Sequence, residues 1–395
     1  MNRSVIHMDL DAFFVSVERK LNSKIPKNVP LIIGGNSKRG VVAACSYEAR
    51  RFGVHSAMPM YKAKMLCPDA LIISGDMEAY SKHSRLVTEI IAESAPLFEK
   101  ASIDEFYIDV TGMERFFGTF RWAQELRKKV INESGLPISL GLSVNKLVSK
   151  VATGEFKPNA EKHIIEGTEK DFLAPLSIAK IPMIGKKTAR FLYDMGVRDV
   201  KTLREMPVKY LQSAFGKNGL LLWKRAHAID DSPVEPYSER KSISTESTFS
   251  TDTIDVVKLR SIIIAMVEKL AYKLREKHKL TSNIAIKLRY SNFDTETRQK
   301  QIPYTASDQV LMHTALEMFE KLYSRRMLLR LVGVRLSGLV HGNYQIDLFE
   351  DTEESIKLYQ AMDKIRFRYG NEKIVRAVTL DVKNRVQMDM DVFTD

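Results

Sequence analysis

Apolar residues in the first 166 positions change rhythm repeatedly. In residues 4–9, Val5, Ile6 and Met8 precede an acid, which predicts a buried strand ending at Asp9. Residues 11–21 have helical spacing. Residues 31–33 and 41–45 read as short strands, the first broken by Gly34-Gly35. Helical spacing returns over 62–66 and 78–94, followed by strand-like pieces at 98–101 and 106–110. An amphipathic helix over 121–132, a strand over 138–144 and a helix over 145–154 complete the series. This alternation predicts one α/β unit with an inserted or appended lobe.

Beyond that unit, residues 168–231 read as short helices punctuated by Pro182-Met183-Ile184-Gly185 and Gly196-Val197, hence a small helical domain. Pro233, Pro236 and flanking charges mark a linker. From 243 to 339 the pattern is strand, helix, strand, strand, helix, strand. Ile284, Ile286, Leu288 and Tyr290 alternate cleanly onto one face, and 298–304 can pair with them as a hairpin. This β-α-β-β-α-β order predicts a ferredoxin-like sheet with helices on one face. A polar stretch follows from His341, with a further short helix over 355–367.

Composition narrows the classes. The chain has 395 residues, 44% apolar and 28% charged, which fits about two to four folded domains. No apolar run reaches the ~20 residues of a membrane span, and the N-terminus meets a charge before a signal peptide could form. Two cysteines, Cys45 and Cys67, are too few for a disulfide framework or a zinc site, so a reducing cytoplasm is expected. The net charge of +12 favours a polyanion such as nucleic acid over a small neutral substrate.

The candidate chemistry lies in acids. Asp9 ends its apolar strand, and Asp104-Glu105 precedes the alternating run Phe106-Tyr107-Ile108-Asp109, so one of that pair must point inward. Three acids converging from neighbouring strands would repel one another unless a cation lay between them. Magnesium suits carboxylate oxygens completed by waters and substrate phosphates, and two such ions can serve an in-line displacement. A single acid is more often a solvated cap or ion-pair partner; the set, not any member, carries the reading.

The phrases Asp9-Leu10-Asp11-Ala12-Phe13-Phe14-Val15-Ser16-Val17-Glu18, Tyr47-Glu48-Ala49-Arg50-Arg51-Phe52-Gly53-Val54 and Ser102-Ile103-Asp104-Glu105 resemble the Y-family translesion DNA polymerases. Within that family they resemble the bacterial DNA polymerase IV (DinB-like) branch. The likeness runs in order to about Gly342, and residues 357–378 are similar to the C-terminal region of UmuC-type polymerases.

The resemblance implies a right-hand polymerase. Its ferredoxin-like palm would be residues 1–10 and 76–166, its small fingers 11–75 and its helical thumb 167–232. A linker (233–242), a ferredoxin-like little finger (243–341) and a tail (342–395) would follow. It implies that Asp9, Asp104 and Glu105 are catalytic and bind two Mg²⁺ ions (Mn²⁺ being possible) with the backbone carbonyl of Leu10, Glu105 lying nearest the attacking hydroxyl. Asp11 and Asp109 are expected to be structural. Phe14 matches the steric gate that excludes ribonucleotides, and Phe13 beside it is either a nucleotide neighbour or a core aromatic. Tyr47, Arg50 and Lys157 match triphosphate contacts; Tyr47 and Arg50 stand one helical turn apart. Around Lys157, Gly154 and Ala160 depart from the family's usual Asp and Gly.

Residues 181–189 resemble a helix-hairpin-helix, in which Gly185, Lys186 and Lys187 would meet a DNA phosphate; Met183 stands where a glycine is usual. Little-finger cations, among them Lys241, Arg289, Arg330 and Arg335, would follow the DNA backbone. Gln345-Ile346-Asp347-Leu348-Phe349 resembles the peptide that docks bacterial polymerases on the sliding (beta) clamp, with Gln345, Leu348 and Phe349 as anchors.

The expected activity is template-directed, low-fidelity DNA synthesis by a monomer with no membrane partner, acting in lesion bypass on primer-template DNA and deoxynucleoside triphosphates. No segment resembles a proofreading exonuclease, and the small fingers leave few residues to enclose a nascent pair. Two other readings are a non-catalytic, clamp-tethered DNA-binding scaffold, which predicts loss of the acids, and a nucleotide cyclase, which needs neither the basic helical domain nor a clamp peptide.

Overall fold

The computed structural model describes residues 3–35, 37, 39–113, 118–236, 239–342, 352–370 and 373–380. The chain divides into two units, Met1–Asn36 with Gly40–Ser238, and Ser37–Arg39 with Glu239–Asp395.

The first unit opens with β1 (Val5–Leu10) and α1 (Phe13–Leu21). A small lobe follows, made of β2 (Leu31–Gly34), β3 (Val42–Cys45), α2 (Tyr47–Arg50), α3 (Met60–Leu66) and β4 (Leu71–Ile73). The chain returns through α4 (Met77–Ser94), β5 (Phe98–Lys100), β6 (Glu105–Asp109), α5 (Thr119–Ser134), β7 (Ile138–Ser143), α6 (Lys146–Phe156) and β8 (Glu161–His163). Five helices close the unit: α7 (Glu169–Leu173), α8 (Lys186–Asp194), α9 (Val200–Glu205), α10 (Val208–Phe215) and α11 (Lys217–Ala226).

β1 lies at the centre of a sheet of order β5-β6-β1-β7-β8 and is antiparallel to both neighbours. Strand alternation gives the sheet two unlike faces. Ile6, Met8, Leu10, Phe106, Ile108, Ile138, Leu140 and Leu142 enter a core closed by Val87 and Ile91 of α4 and Leu126 and Val130 of α5. Burying each such side chain contributes about 1.5–3 kcal/mol before chain entropy is counted. On the opposite face stand His7, Asp9, Glu105, Tyr107, Ser139 and Gly141. α6 lies across that face, and a Cβ on Gly141 would collide with the Ser149 carbonyl, so glycine permits the close approach.

The small lobe holds a sheet of order β3-β2-β4 with its own core of Ile32, Val42, Val54 and Met60. The terminal helices pack Leu192, Val200, Leu203, Leu211 and Leu222 together with Val148 and Val151 of α6.

The second unit contains β9 (Ser242–Thr253), α12 (Val256–Glu276), β10 (Lys279–Tyr290), β11 (Thr295–Thr305), α13 (Asp308–Leu322), β12 (Leu329–His341) and α14 (Thr352–Tyr369). Its element order is the expected β-α-β-β-α-β. Along the antiparallel sheet the strands run β11-β10-β12-β9, so each β-α-β unit is split by a strand of the other. Ile284, Ile286, Leu288, Val332, Val334 and Leu336 pack beneath α12 and α13, giving the expected helices on one face. α14 packs against this unit. Tyr359 is buried with its hydroxyl 3.3 Å from Ser307, and Arg275 of α12 joins Asp363 of α14 to Asp308 of α13.

Several boundaries differ from the periodicity. The helix expected from residue 11 begins at Phe13, because Ala12 is left-handed (φ 44°) and Asp11 is drawn into the fold by Ser139 and the Asn159 amide. The three-residue strands β4 and β8 carry too few positions to show a period. β9, β11 and β12 each extend beyond the strands read from their apolar cores. Among the described residues, no helix is long and apolar enough to cross a membrane.

Candidate active site

Asp9 and Glu105 are Cα partners across β1 and β6, so their side chains leave the sheet side by side. His7, two residues earlier on β1, shares their face. One ligand atom from each of His7, Asp9 and Glu105 lies within 4.8 Å of the others. Asp104 stands next to this group but turns its carboxylate onto the Ser102 hydroxyl at 2.6 Å. The backbone holds the arrangement: the Leu10 amide donates to the Asp104 carbonyl at 3.0 Å, tying the end of β1 to the start of β6.

Charge on this face is balanced by lysines from the α6 side. Lys150 approaches Glu105 at 2.6 Å, and Lys157 pairs with Asp9 and stands 3.9 Å from Asp11. Burial pushes the Asp9 carboxyl up to about 7; Asp104 and Glu105 push the same way, and Lys157 opposes them. A divalent cation would relieve the same repulsion.

Asp11 serves the scaffold, as expected. It is 2% exposed and accepts from Ser139 at 2.9 Å, from the Asn159 amide at 2.8 Å and from the Tyr47 hydroxyl at 3.4 Å. Asp109 accepts from the Thr111 amide at 3.0 Å, a local turn contact.

The aromatic pair separates into two environments. Phe13 is buried in the core behind the sheet. Phe14 is partly buried and stacks on Tyr80 with centroids 4.2 Å apart and planes 11° from parallel. Tyr80 donates in turn to Glu18 at 2.6 Å, so the support behind Phe14 is itself anchored to α1.

On α2, capped by the Ser46 side chain, the Arg50 guanidinium lies 4.5 Å from the Tyr47 ring centroid. Tyr47, through Asp11, and Lys157, through Asp9, thus reach the acid region; Arg50 is exposed.

Other expected contacts stand elsewhere. Gly185 caps α8, followed by exposed Lys186 and Lys187. Met183 adopts φ 69°, the left-handed conformation for which glycine is the usual residue, and its sulfur receives an Arg225 N–H at 3.0 Å. In the second unit, Arg289 and Arg335 share the sheet face away from the helices with Lys287, which pairs with Glu246 at 2.8 Å. Arg330 lies 4.6 Å over Phe293, and Lys241 is exposed. Gln345, Leu348 and Phe349 lie outside the described residues.

His7 lies on the same face but outside the motifs that point to the acids. The ring is 1% exposed, and burial together with Lys150, Lys157 and Lys146 holds its pKa well below the usual value, so it is neutral. Nδ1 lies 2.9 Å from the Thr153 hydroxyl, and Nε2 has no protein partner. A buried unpartnered lone pair beside two carboxylates fits a cation-binding group. Period-two alternation already placed His7 on the Asp9 face, but a lone histidine in a strand otherwise reads as core.

The chain is similar to known proteins over nearly its whole length. The profile of the impB/mucB/samB family matches residues 8–154, and that of its C-terminal domain matches residues 240–348. A DNA polymerase IV of Dehalococcoides mccartyi is 39% identical over 97% of this chain and 99% of its own length. A Y-family DNA polymerase chimera of Dbh and Dpo4 superposes with a TM-score of 0.75 at 27% identity, covering 86% of this chain and 100% of the chimera. An insertion ternary complex of Dbh DNA polymerase gives a TM-score of 0.64 at 26% identity, over 86% and 100% of the two chains. With the family profile, its C-terminal-domain profile and near full-length likeness all in agreement, the chain belongs to the impB/mucB/samB family of Y-family DNA polymerases.

Proposed function

We propose that the chain extends a primer on a DNA template with low fidelity, without proofreading, and that Asp9, Asp104 and Glu105 hold two Mg²⁺ ions for the transfer. One observation carries this reading: Asp9 and Glu105 face each other across β1 and β6 with their carboxylates in reach of a shared cation. Cations bound there would favour the alkoxide of the primer 3′-hydroxyl and steady charge on the departing pyrophosphate. Glu105, at the start of β6, would stand nearest the attacking oxygen, and the Leu10 carbonyl would add a backbone oxygen. Lys157 would divide its charge between Asp9 and a triphosphate oxygen. Tyr47 and Arg50 would meet the outer phosphates, where a planar guanidinium makes charge-assisted contacts. Phe14, held flat by Tyr80, would exclude a 2′-hydroxyl by overlap, with Phe13 supporting it from the core.

Gly185, Lys186 and Lys187 at the start of α8, and Lys241, Arg289, Arg330 and Arg335 in the second unit, would neutralise DNA phosphates. Gln345, Leu348 and Phe349 would dock on a sliding clamp; Leu348→Ala with Phe349→Ala should abolish clamp binding in a pull-down while leaving unaided extension intact. The protein would act as a cytoplasmic monomer in lesion bypass and DNA repair. Its free, buried cysteines fit a reducing compartment.

The test is gel-resolved primer extension opposite undamaged and abasic templates, with Asp104→Ala as control. The reading expects synthesis by the wild type and none by Asp104→Ala; a metal-replete wild type that binds primed DNA without extending it would favour the scaffold. In the same assay Phe14→Ala should lower discrimination against ribonucleotides by about 10²-fold. Unchanged sugar selectivity would remove Phe14 as the gate.

A further inference from the structure

We propose that Phe293, at the tip of the hairpin between β10 and β11, is a platform on which an unpaired base of single-stranded DNA stacks, with Arg330 backing the ring. The proposal rests on the reading above, in which the basic face of the second sheet meets DNA phosphates, and adds a base contact to it.

Phe293 occupies a backbone position that disfavours it. The Phe293 amide donates to the Tyr290 carbonyl at 3.0 Å, and the Tyr290 amide donates to the Asp294 carbonyl at 2.9 Å, which closes a tight turn. Asn292 and Asp294 brace it: the Asp294 amide donates to the Asn292 side-chain oxygen at 3.0 Å, and the Asn292 amide group to the Asp294 carboxylate at 2.8 Å. Phe293 itself is left-handed, at φ 70°. Glycine is the usual residue where a short hairpin loop ends left-handed, because a bulky side chain crowds its own backbone there. Core packing would explain the phenylalanine, but the ring is 62% exposed and lies outside the buried cluster of its unit. Neither backbone preference nor burial accounts for the side chain, which is the pattern of a residue kept for what it touches.

The charge around the tip selects a polyanion. The Arg330 guanidinium lies 4.6 Å from the Phe293 ring centroid and makes no ion pair among the described residues. The acids of the tip are already answered, since Arg325 pairs with Asp294 at 3.2 Å and with Glu296 at 3.0 Å. The basic face is bonded to the tip directly. Arg289 donates to the Thr295 hydroxyl at 2.9 Å, and that hydroxyl donates to the Phe293 carbonyl at 3.3 Å. A strand neutralised by Arg335 and Arg289 would therefore reach Phe293 at the end of β10. A guanidinium against one face of an aromatic ring favours a further stacked ring on the other, and Arg330 keeps its charge for a neighbouring phosphate. Every base offers such a face, so the contact tolerates any sequence. Inside a duplex both faces of a base are already covered, so the base that stacks on Phe293 is an unpaired one.

The experiment measures binding of the full chain by fluorescence anisotropy over a salt series. The probes are a primed duplex with a single-stranded thymidine overhang and the same duplex made blunt. Phe293→Gly, which suits the left-handed backbone, should keep the melting temperature and weaken binding to overhang DNA by about tenfold. Affinity for the blunt duplex should change by less than about twofold, and the slope of log affinity against log salt should stay the same, because no phosphate contact is removed. Phe293→Trp should retain overhang binding. In parallel, an overhang carrying 5-iodouracil is irradiated on the wild type and the crosslink mapped by mass spectrometry, with Phe293 as the expected site. Unchanged overhang affinity in Phe293→Gly would overturn the proposal. So would equal losses on overhang and blunt DNA, or a crosslink confined to other residues. In each of those cases salt-dependent binding of the blunt duplex would leave the basic face standing. A wild type that binds neither DNA would remove that reading and the proposal together. The crosslink needs no variant, so it decides the matter even if Phe293→Gly fails to fold.

Discussion

The sheet of the first unit and the sheet of the second share a plan and differ in charge. Each places an alternating apolar face against two helices and leaves the other set of side chains to chemistry. In the first sheet that other set is acidic, with Asp9 and Glu105 in register beneath α6. In the second it is basic, with Lys287, Arg289 and Arg335 on neighbouring strands. The apolar half of each strand specifies the fold and leaves the intervening half free to vary, so one architecture carries two different charge patterns. The acids are partly buried, and burial raises the pKa of Asp9 while Lys157 opposes it. The arginines stand on a solvated face, where they are suited to a long phosphate chain.

Breaking the acidic face should have the largest effect. Glu105→Gln keeps the shape and removes the charge; single-turnover extension should fall by about 10³-fold, equivalent to ~4 kcal/mol, with primer-template affinity little changed. Loss of DNA binding with retained turnover would reverse the assignment of the two faces.

The basic face should show the opposite signature. Arg289→Ala with Arg335→Ala should weaken DNA binding by about tenfold or more at physiological salt and lower the slope of log affinity against log salt by roughly two, with the chemical step of bound complexes preserved. An unchanged slope would remove these residues from the backbone contacts.

The smallest effect sharpens the contrast through pH. Asp9 ionises at about 7 because burial opposes its charge, so protons compete with a cation below that value. Apparent Mg²⁺ affinity should rise by about fivefold between pH 6 and 7, reach about tenfold by pH 8 and flatten above it. The same burial acts on stability with a definite sign. A carboxyl whose folded pKa is raised favours the folded state when protonated, and that contribution is lost as pH rises from about 4 through 7. Guanidinium contacts do not titrate in this range, so DNA affinity measured without metal should be flat over the same interval. Calorimetric titrations at fixed ionic strength read both curves.

Much of the fold was legible because residues 106–110 and 283–290 alternate at the period of a strand, and residues 4–9 form a short apolar run ending in an acid. The acids were legible for the same reason: an acid ending such a run has few cheap places to go. Other features depend on contacts far apart in sequence. The left-handed turn at Ala12 exists because Ser139 and Asn159 hold Asp11, more than a hundred residues away. The strand order of the second sheet depends on which strand inserts between β9 and β10, which element order leaves open. His7 looked like core until the fold set Thr153 behind it and Glu105 beside it. The register of β1 with β6 is likewise tertiary, and it turns three acids in a sequence into a candidate cation site.

The candidate cation site depends on that register, and locating the ions tests it most directly. Crystals of the protein with primer-template, a non-hydrolysable deoxynucleotide and Mn²⁺ should give anomalous peaks within about 2.3 Å of carboxylate oxygens of Asp9 and Glu105, with Asp104 swung off Ser102 to join them. Peaks elsewhere, with none in coordinating distance of Asp9, would contradict it.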